Sequence, residues 1–127
     1  MKFAKKDPPR HFTVGHSVKF EIKDCGSLAL EADEQITFTT ESGAEYDVAR
    51  KNWGFYATPS LNGRLQSFGL RGVLIRNRLT SRYFVLLVER ERESDCERYL
   101  EQESCDVVAW LDSTETLDQL RVAVSSL

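Results

Sequence analysis

With 127 residues, 41% of them apolar and 29% charged, the chain has the size and balance of one domain able to bury a core without disulfides or a metal. The opening MKFAKKDPPR is charged with no apolar run behind it, which argues against a secretory signal or membrane span and predicts a cytoplasmic location. The net charge of −3 hides three blocks: residues 1–47 carry six cations and nine acids, residues 48–88 seven cations and no acid, and residues 89–127 four cations and eleven acids.

Residues 1–15 read as an extended arm, because Pro8-Pro9 breaks regular structure and only Phe3, Phe12 and Val14 offer apolar anchors. Val18, Phe20 and Ile22 then alternate with Lys19, Glu21 and Lys23, the pattern of a half-buried strand, and Asp24-Cys25-Gly26-Ser27 reads as its closing turn. Leu28, Leu30 and Ala32 predict a second strand, Ile36 and Phe38 a third, and Tyr46 and Val48 a fourth beyond the turn Glu41-Ser42-Gly43-Ala44. Residues 16–88 are therefore expected to be mostly β, beginning as an antiparallel meander. Phe55-Tyr56-Ala57-Thr58 is a short strand ended by Pro59. Asn62-Gly63 marks a turn through its tolerance of positive φ, and Leu65 and Phe68 fit a short helical turn.

The apolar runs at residues 72–75 and 83–88 predict central strands buried on both faces. Residues 89–127 change character to α/β. Ser94-Asp95-Cys96-Glu97 has the capping-box pattern, with Cys96, Tyr99 and Leu100 on one helical face. Residues 107–111 form a strand, and Asp112-Ser113-Thr114-Glu115 caps a last helix whose Leu117, Leu120 and Val124 face inward. Strand, helix, strand implies a parallel pair with a right-handed crossover. The expected class is α+β: an N-terminal antiparallel β-meander followed by a C-terminal β-α-β-α unit, in a mixed sheet within one domain, residues 1–127.

His11 and His16 lack a third ligand at metal spacing, so no metal is expected. Cys25, Cys96 and Cys105 lack CxxC spacing and read as reduced, mostly buried thiols. No nucleophile elbow and no glycine-rich phosphate loop occurs, and no cofactor is expected. Glu45 and Asp47, two apart on a strand, are the candidates for a general base, against a solvated strand face. The acid-free middle is richer. Arg50, Lys51, Arg64 and Arg71 suit phosphate or carboxylate, Trp53, Phe55 and Tyr56 offer flat apolar faces, and Ser60 and Asn62 add neutral hydrogen bonds. The competing reading packs those aromatics in the core and pairs the arginines with the acidic end. Nucleic acid ranks below a small anion because the chain is acidic overall and carries no RNA-binding signature.

Residues 33–65, DEQITFTTESGAEYDVARKNWGFYATPSLNGRL, with YFVLLVE and VVAWLD further on, resemble a group of uncharacterised bacterial proteins associated with surface-polysaccharide and unusual-sugar gene clusters. The resemblance implies a carbohydrate context and no particular reaction. The expected function is that of a non-catalytic accessory or binding protein, which engages an anionic sugar, a nucleotide sugar or a partner enzyme through Arg50, Lys51, Trp53, Tyr56, Ser60, Asn62, Arg64 and Arg71. The alternatives are a small sugar-nucleotide-modifying enzyme with a carboxylate base, and a dimerising domain whose basic middle meets its acidic end. No membrane partner is expected.

Overall fold

The computed structural model describes residues 1–127 as eight strands and three helices. In chain order these are β1 (Lys2–Val14), β2 (Phe20–Ala29), β3 (Gln35–Thr39), β4 (Glu45–Lys51), β5 (Gly54–Ala57), α1 (Arg64–Ser67), β6 (Leu70–Asn77), β7 (Tyr83–Glu89), α2 (Glu93–Gln102), β8 (Cys105–Trp110) and α3 (Thr114–Ser125). They form three sheets, ordered β1-β2, β3-β4-β5 and β7-β6-β8. The α+β class follows directly. The chain divides into two compact units, one of residues 1–37 and 47–58, the other of residues 38–46 and 59–127.

In the first unit, the segment expected as an arm is strand β1, paired antiparallel with β2. The prolines do interrupt the ladder, as a bulge rather than an end: Lys5 pairs with Gly26 and Arg10 with Asp24, so residues 6–9 stand opposite Cys25 alone. Proline cannot donate to a ladder, and a bulge removes that demand while both flanks stay paired. Lys6 and Arg10, at the edges of the bulge, reach Asp24 at 2.5 and 3.4 Å. The lysine hydrogen bond, ahead of the other contacts, holds the Asp24 carboxyl below its usual range. The expected turn at Asp24-Cys25-Gly26-Ser27 is thus the interior of β2, and the hairpin closes at residues 15–19. Its glycine is there because the strands approach closely: a Cβ on Gly26 would lie 2.5 Å from the Ala4 carbonyl oxygen.

The second unit holds all the fully buried apolar side chains. β6 is central, antiparallel to β7 on one side and to β8 on the other. β7 and β8 therefore run parallel to each other with β6 between them. This corrects the expected neighbouring parallel pair: the helical connection carries the chain across β6, and every pairing in this sheet is antiparallel. One face of the sheet presents Val73, Ile75 and Val88 to Leu100 of α2, with Leu86, Cys96, Cys105 and Trp110 packed around them. A second cluster joins Ala44, Leu65, Leu70 and Tyr46.

Three further expectations give way. β6 is buried, but β7 is an edge strand whose Tyr83, Phe84 and Val85 are exposed, so residues 83–88 are not covered on both faces. α2 begins at Glu93 with Arg92 as its N-cap and no side-chain cap bond, which puts Ser94 inside the first turn instead of at its head. α3 is capped as expected, Ser113 Oγ accepting from Thr116 N at 3.2 Å, but its apolar stripe does not face a core: Leu117 is half-buried, while Leu120 and Val124 are exposed. The thiols also differ from expectation, with Cys25 exposed and Cys96 and Cys105 only half-buried.

Candidate functional site

In the first unit, β4 and β5 pair from Val48–Ala57 to Lys51–Gly54, so Asn52 and Trp53 alone form the turn. Gly54, at φ +150°, supplies the backbone freedom that brings the chain back into register. Trp53 at the tip is 70% exposed, Phe55 67% and Tyr56 52%. The reading in which these three rings pack in the core is therefore overturned. Phe55 lies across from Arg50 and Tyr56 across from Ala49, so the two rings point to opposite faces of the hairpin. Arg50 stacks over Phe55 with its guanidinium carbon 5.8 Å from the ring centre and donates from Nη1 to the Gly54 carbonyl at 3.3 Å. Lys51 Nζ reaches Asp33 at 2.5 Å. Each cation thus flanks the aromatic tip while held by a neighbour, and an exposed lysine–carboxylate pair of this kind holds its partners only weakly.

Asp47 is buried in β4, where its Oδ1 accepts from Thr37 Oγ1 at 2.6 Å. Its carboxylate therefore ties β4 to β3, and the expected solvated strand face does not describe it. Glu45 is exposed in the other unit.

The remaining predicted residues belong to the second unit and are occupied structurally. Ser60 Oγ accepts from Arg64 N at 2.8 Å, and the Ser60 carbonyl accepts from Leu65 N at 3.1 Å, so this serine folds the turn into α1. Gly63 is required by that same turn, because a Cβ there would sit 2.6 Å from Ser60 Oγ; its φ of −145° shows that close approach, not positive φ, selects the glycine. Asn62 Nδ2 donates to Thr114 Oγ1 at 3.1 Å, joining this turn to the start of α3. Arg64 lies over Phe68, 5.0 Å from the ring centre.

Arg71 is the most heavily committed side chain of the set. Its Nε and Nη2 donate to the two oxygens of Asp112, its Nη1 donates to Glu93 at 3.0 Å, and its guanidinium stacks 4.0 Å from the Trp110 ring centre. The Asp112 carboxyl is held below its usual range chiefly by the Arg71 hydrogen bonds, and the arginine is raised in turn. A guanidinium satisfied on two carboxylates and a ring has little left to offer an outside anion.

A polar cleft of about 900 Å³ that sequence reasoning missed also lies in the second unit, lined by residues 40–44, 67–69 and 89–92. Ser42 Oγ donates to Glu89 at 2.7 Å, and hydrogen bonds from Thr40 and Ser42 hold the Glu89 carboxyl below its usual range. Its charged lining mixes Arg90 and Arg92 with Glu41, Glu89 and Glu91, so it does not select an anion. Nothing short-range in the sequence joins residues 40–44 to 89–92, which is why the cleft was not legible there. His11 Nδ1 pairs with Glu21 across the β1–β2 ladder, and no three His, Cys, Asp or Glu side chains converge to hold a metal ion. No helix is long and apolar enough to cross a membrane. Comparison of the chain with family models, curated proteins and solved structures returns no match.

Proposed function

We propose that the chain is a non-catalytic binding protein of bacterial surface-polysaccharide metabolism, and that the tip of the β4–β5 hairpin contacts an acidic glycan. The observation that carries this reading is the exposure of Trp53, Phe55 and Tyr56 within four residues, flanked by Arg50 and Lys51. Leaving three rings in water forgoes about 1.5–3 kcal/mol for each, a cost that a partner surface recovers. Aromatic faces stack on the apolar faces of sugar rings, and adjacent cations favour carboxylates on the same chain. With Trp53 at the tip, Phe55 on one face of the hairpin and Tyr56 on the other, the rings enclose no pocket of the kind small ligands use, which favours an extended polymer over a free nucleotide sugar. The resemblance of residues 33–65 to proteins of sugar gene clusters supports the same context.

The two tryptophans make the test direct, since Trp110 is half-buried under Arg71 and Trp53 is the exposed one. Titration with polygalacturonate is expected to change the Trp53 fluorescence, and neutral dextran is expected to leave it unchanged. Trp53→Ala should abolish the response and weaken retention on immobilised polygalacturonate at least tenfold. An unaltered Trp53 signal at saturating polyuronate, with either polygalacturonate or alginate, defeats the reading.

A further inference from the structure

We propose that the acidic glycan lies on one face of the β4–β5 hairpin only, the face of Phe55, and that Arg50 reads its carboxylates while Lys51 and Tyr56 take no part. The inference rests on the glycan reading above and adds which side chains set specificity.

Alternation along the two strands sorts the residues beside the tip into two sets. Arg50 lies across from Phe55 and Val48 across from Ala57, so these four share one face. Ala49 lies across from Tyr56 and Lys51 across from Gly54, which gives the other face Lys51, Tyr56 and, two residues before Ala49, Asp47. Each face thus carries one ring and one cation. They differ in their acids.

On the Tyr56 face, Lys51 Nζ is held 2.5 Å from Asp33, whose side chain is 74% exposed, and Asp47 stands in the same row as the lysine. Two carboxylates against one ammonium leave this side net negative, and a polyanion gains nothing by approaching it. Tyr56 also has a hydroxyl that water satisfies, so its exposure asks for no partner.

On the Phe55 face, β4 and β5 contribute no acid. Glu34, whose carbonyl accepts from Arg50 N, has its carboxylate on the Met1 ammonium at 2.8 Å. The charge of Arg50 is therefore not cancelled. Its Nη1 donates to the Gly54 carbonyl, which orients the group, and its Nε and Nη2 make no bond within the chain. That free edge is a two-point donor of the shape a carboxylate accepts. The guanidinium carbon stands 5.8 Å from the Phe55 ring centre, near the outer limit of about 6 Å for such a contact, so it does not cap a ring that is 67% exposed. A uronate stacked on Phe55 then presents its carboxylate to the Arg50 edge beside it.

The test compares polygalacturonate with its fully methyl-esterified form, which keeps the sugar rings and loses the carboxylates, using Trp53 fluorescence as the readout. Wild type is expected to bind the acid form about tenfold or more tightly than the ester, the effect of a charged two-point hydrogen bond. Arg50→Gln should erase that preference. Phe55→Ala should weaken polygalacturonate binding by about tenfold or more, whereas Lys51→Gln and Tyr56→Ala should keep both the preference and the dissociation constant within about twofold. A preference that survives in Arg50→Gln, or losses in Lys51→Gln or Tyr56→Ala equal to those on the Phe55 face, overturns the one-face assignment and leaves the glycan reading standing. A wild-type Trp53 signal that responds to neither polygalacturonate nor alginate defeats the glycan reading and this inference with it. If Arg50→Gln or Phe55→Ala loses the wild-type circular dichroism spectrum, Arg50→Lys and Phe55→Leu replace them. The first keeps the charge without the fork and the second keeps apolar bulk without a flat face, so each should bind about threefold or more weakly, and an unchanged dissociation constant in either overturns the proposal.

Discussion

Arg71 Nε donates to Asp112 Oδ2 at 2.6 Å and Arg71 Nη2 to Asp112 Oδ1 at 3.2 Å, so a cation of β6 grips both oxygens of a carboxylate that precedes α3. The fork geometry of a guanidinium allows this two-point contact, and the pair is largely withdrawn from water, with Trp110 stacked against the guanidinium. Removing the arginine strands Asp112 in a site built for an ion pair. Arg71→Ala is therefore expected to lower the unfolding free energy by about 2–4 kcal/mol in urea titrations. Arg71→Lys keeps the charge but loses the fork, for a cost of about 1–2 kcal/mol. Neither change should alter polygalacturonate binding. An alanine variant within about 0.5 kcal/mol of wild type would show that the pair merely offsets its own desolvation.

The same pair sets an acid limit. Asp112 gives up its proton at a lower pH in the folded chain than in the unfolded one, because Arg71 bonds to the ionised form. Its contribution is complete above the unfolded value of about 3.9 and drains away as pH falls through the depressed folded value. Asp24, held low first by Lys6, and Glu89, held low first by Thr40, act with the same sign. Stability should thus fall between about pH 5 and pH 2, and Asp112→Asn should flatten that fall while lowering the plateau near neutrality. Urea midpoints at a series of pH values measure this. Parallel profiles for the variant and wild type would remove Asp112 from the account.

What the sequence displays and what it withholds divide along physical lines. Residues 72–75 and 83–88 announce strands because continuous apolar runs have few other uses, and the Ser113 cap is readable because a cap is local. Pro8-Pro9 misleads since a bulge opposite Cys25 absorbs two prolines without ending the strand, an option that only the partner strand reveals. Asp24-Cys25-Gly26-Ser27 has turn chemistry, yet its glycine serves close strand approach. The cationic run is visible, but the destination of each arginine depends on residues far away: Arg71 finds Asp112 and Glu93, whereas Arg50 stays beside Phe55. The stripe of α3 is fully legible as a period, and its exposure is not, because periodicity states which residues share a face without saying what that face meets.

Two glycines separate steric from conformational demand and give the last prediction. Gly26 has φ +150° and a neighbour at 2.5 Å from where its Cβ would stand, the backbone oxygen of Ala4, with the Phe3 ring at 3.0 Å. Gly43 has φ +94° and nothing within 4 Å of the same position. An alanine at 43 therefore meets only the backbone penalty, about 1 kcal/mol. At 26 it meets that penalty and a clash with main chain that cannot rotate aside, so Gly26→Ala should cost about 2–4 kcal/mol locally. Because Ala4 and Gly26 lie in the β1–β2 ladder, the damage should appear there first. Amide exchange is expected to accelerate across β1 and β2 in Gly26→Ala while β6, β7 and α2 keep their protection. Equal effects of the two substitutions on the β1–β2 amides would mean that the close approach of these strands imposes no constraint at Gly26.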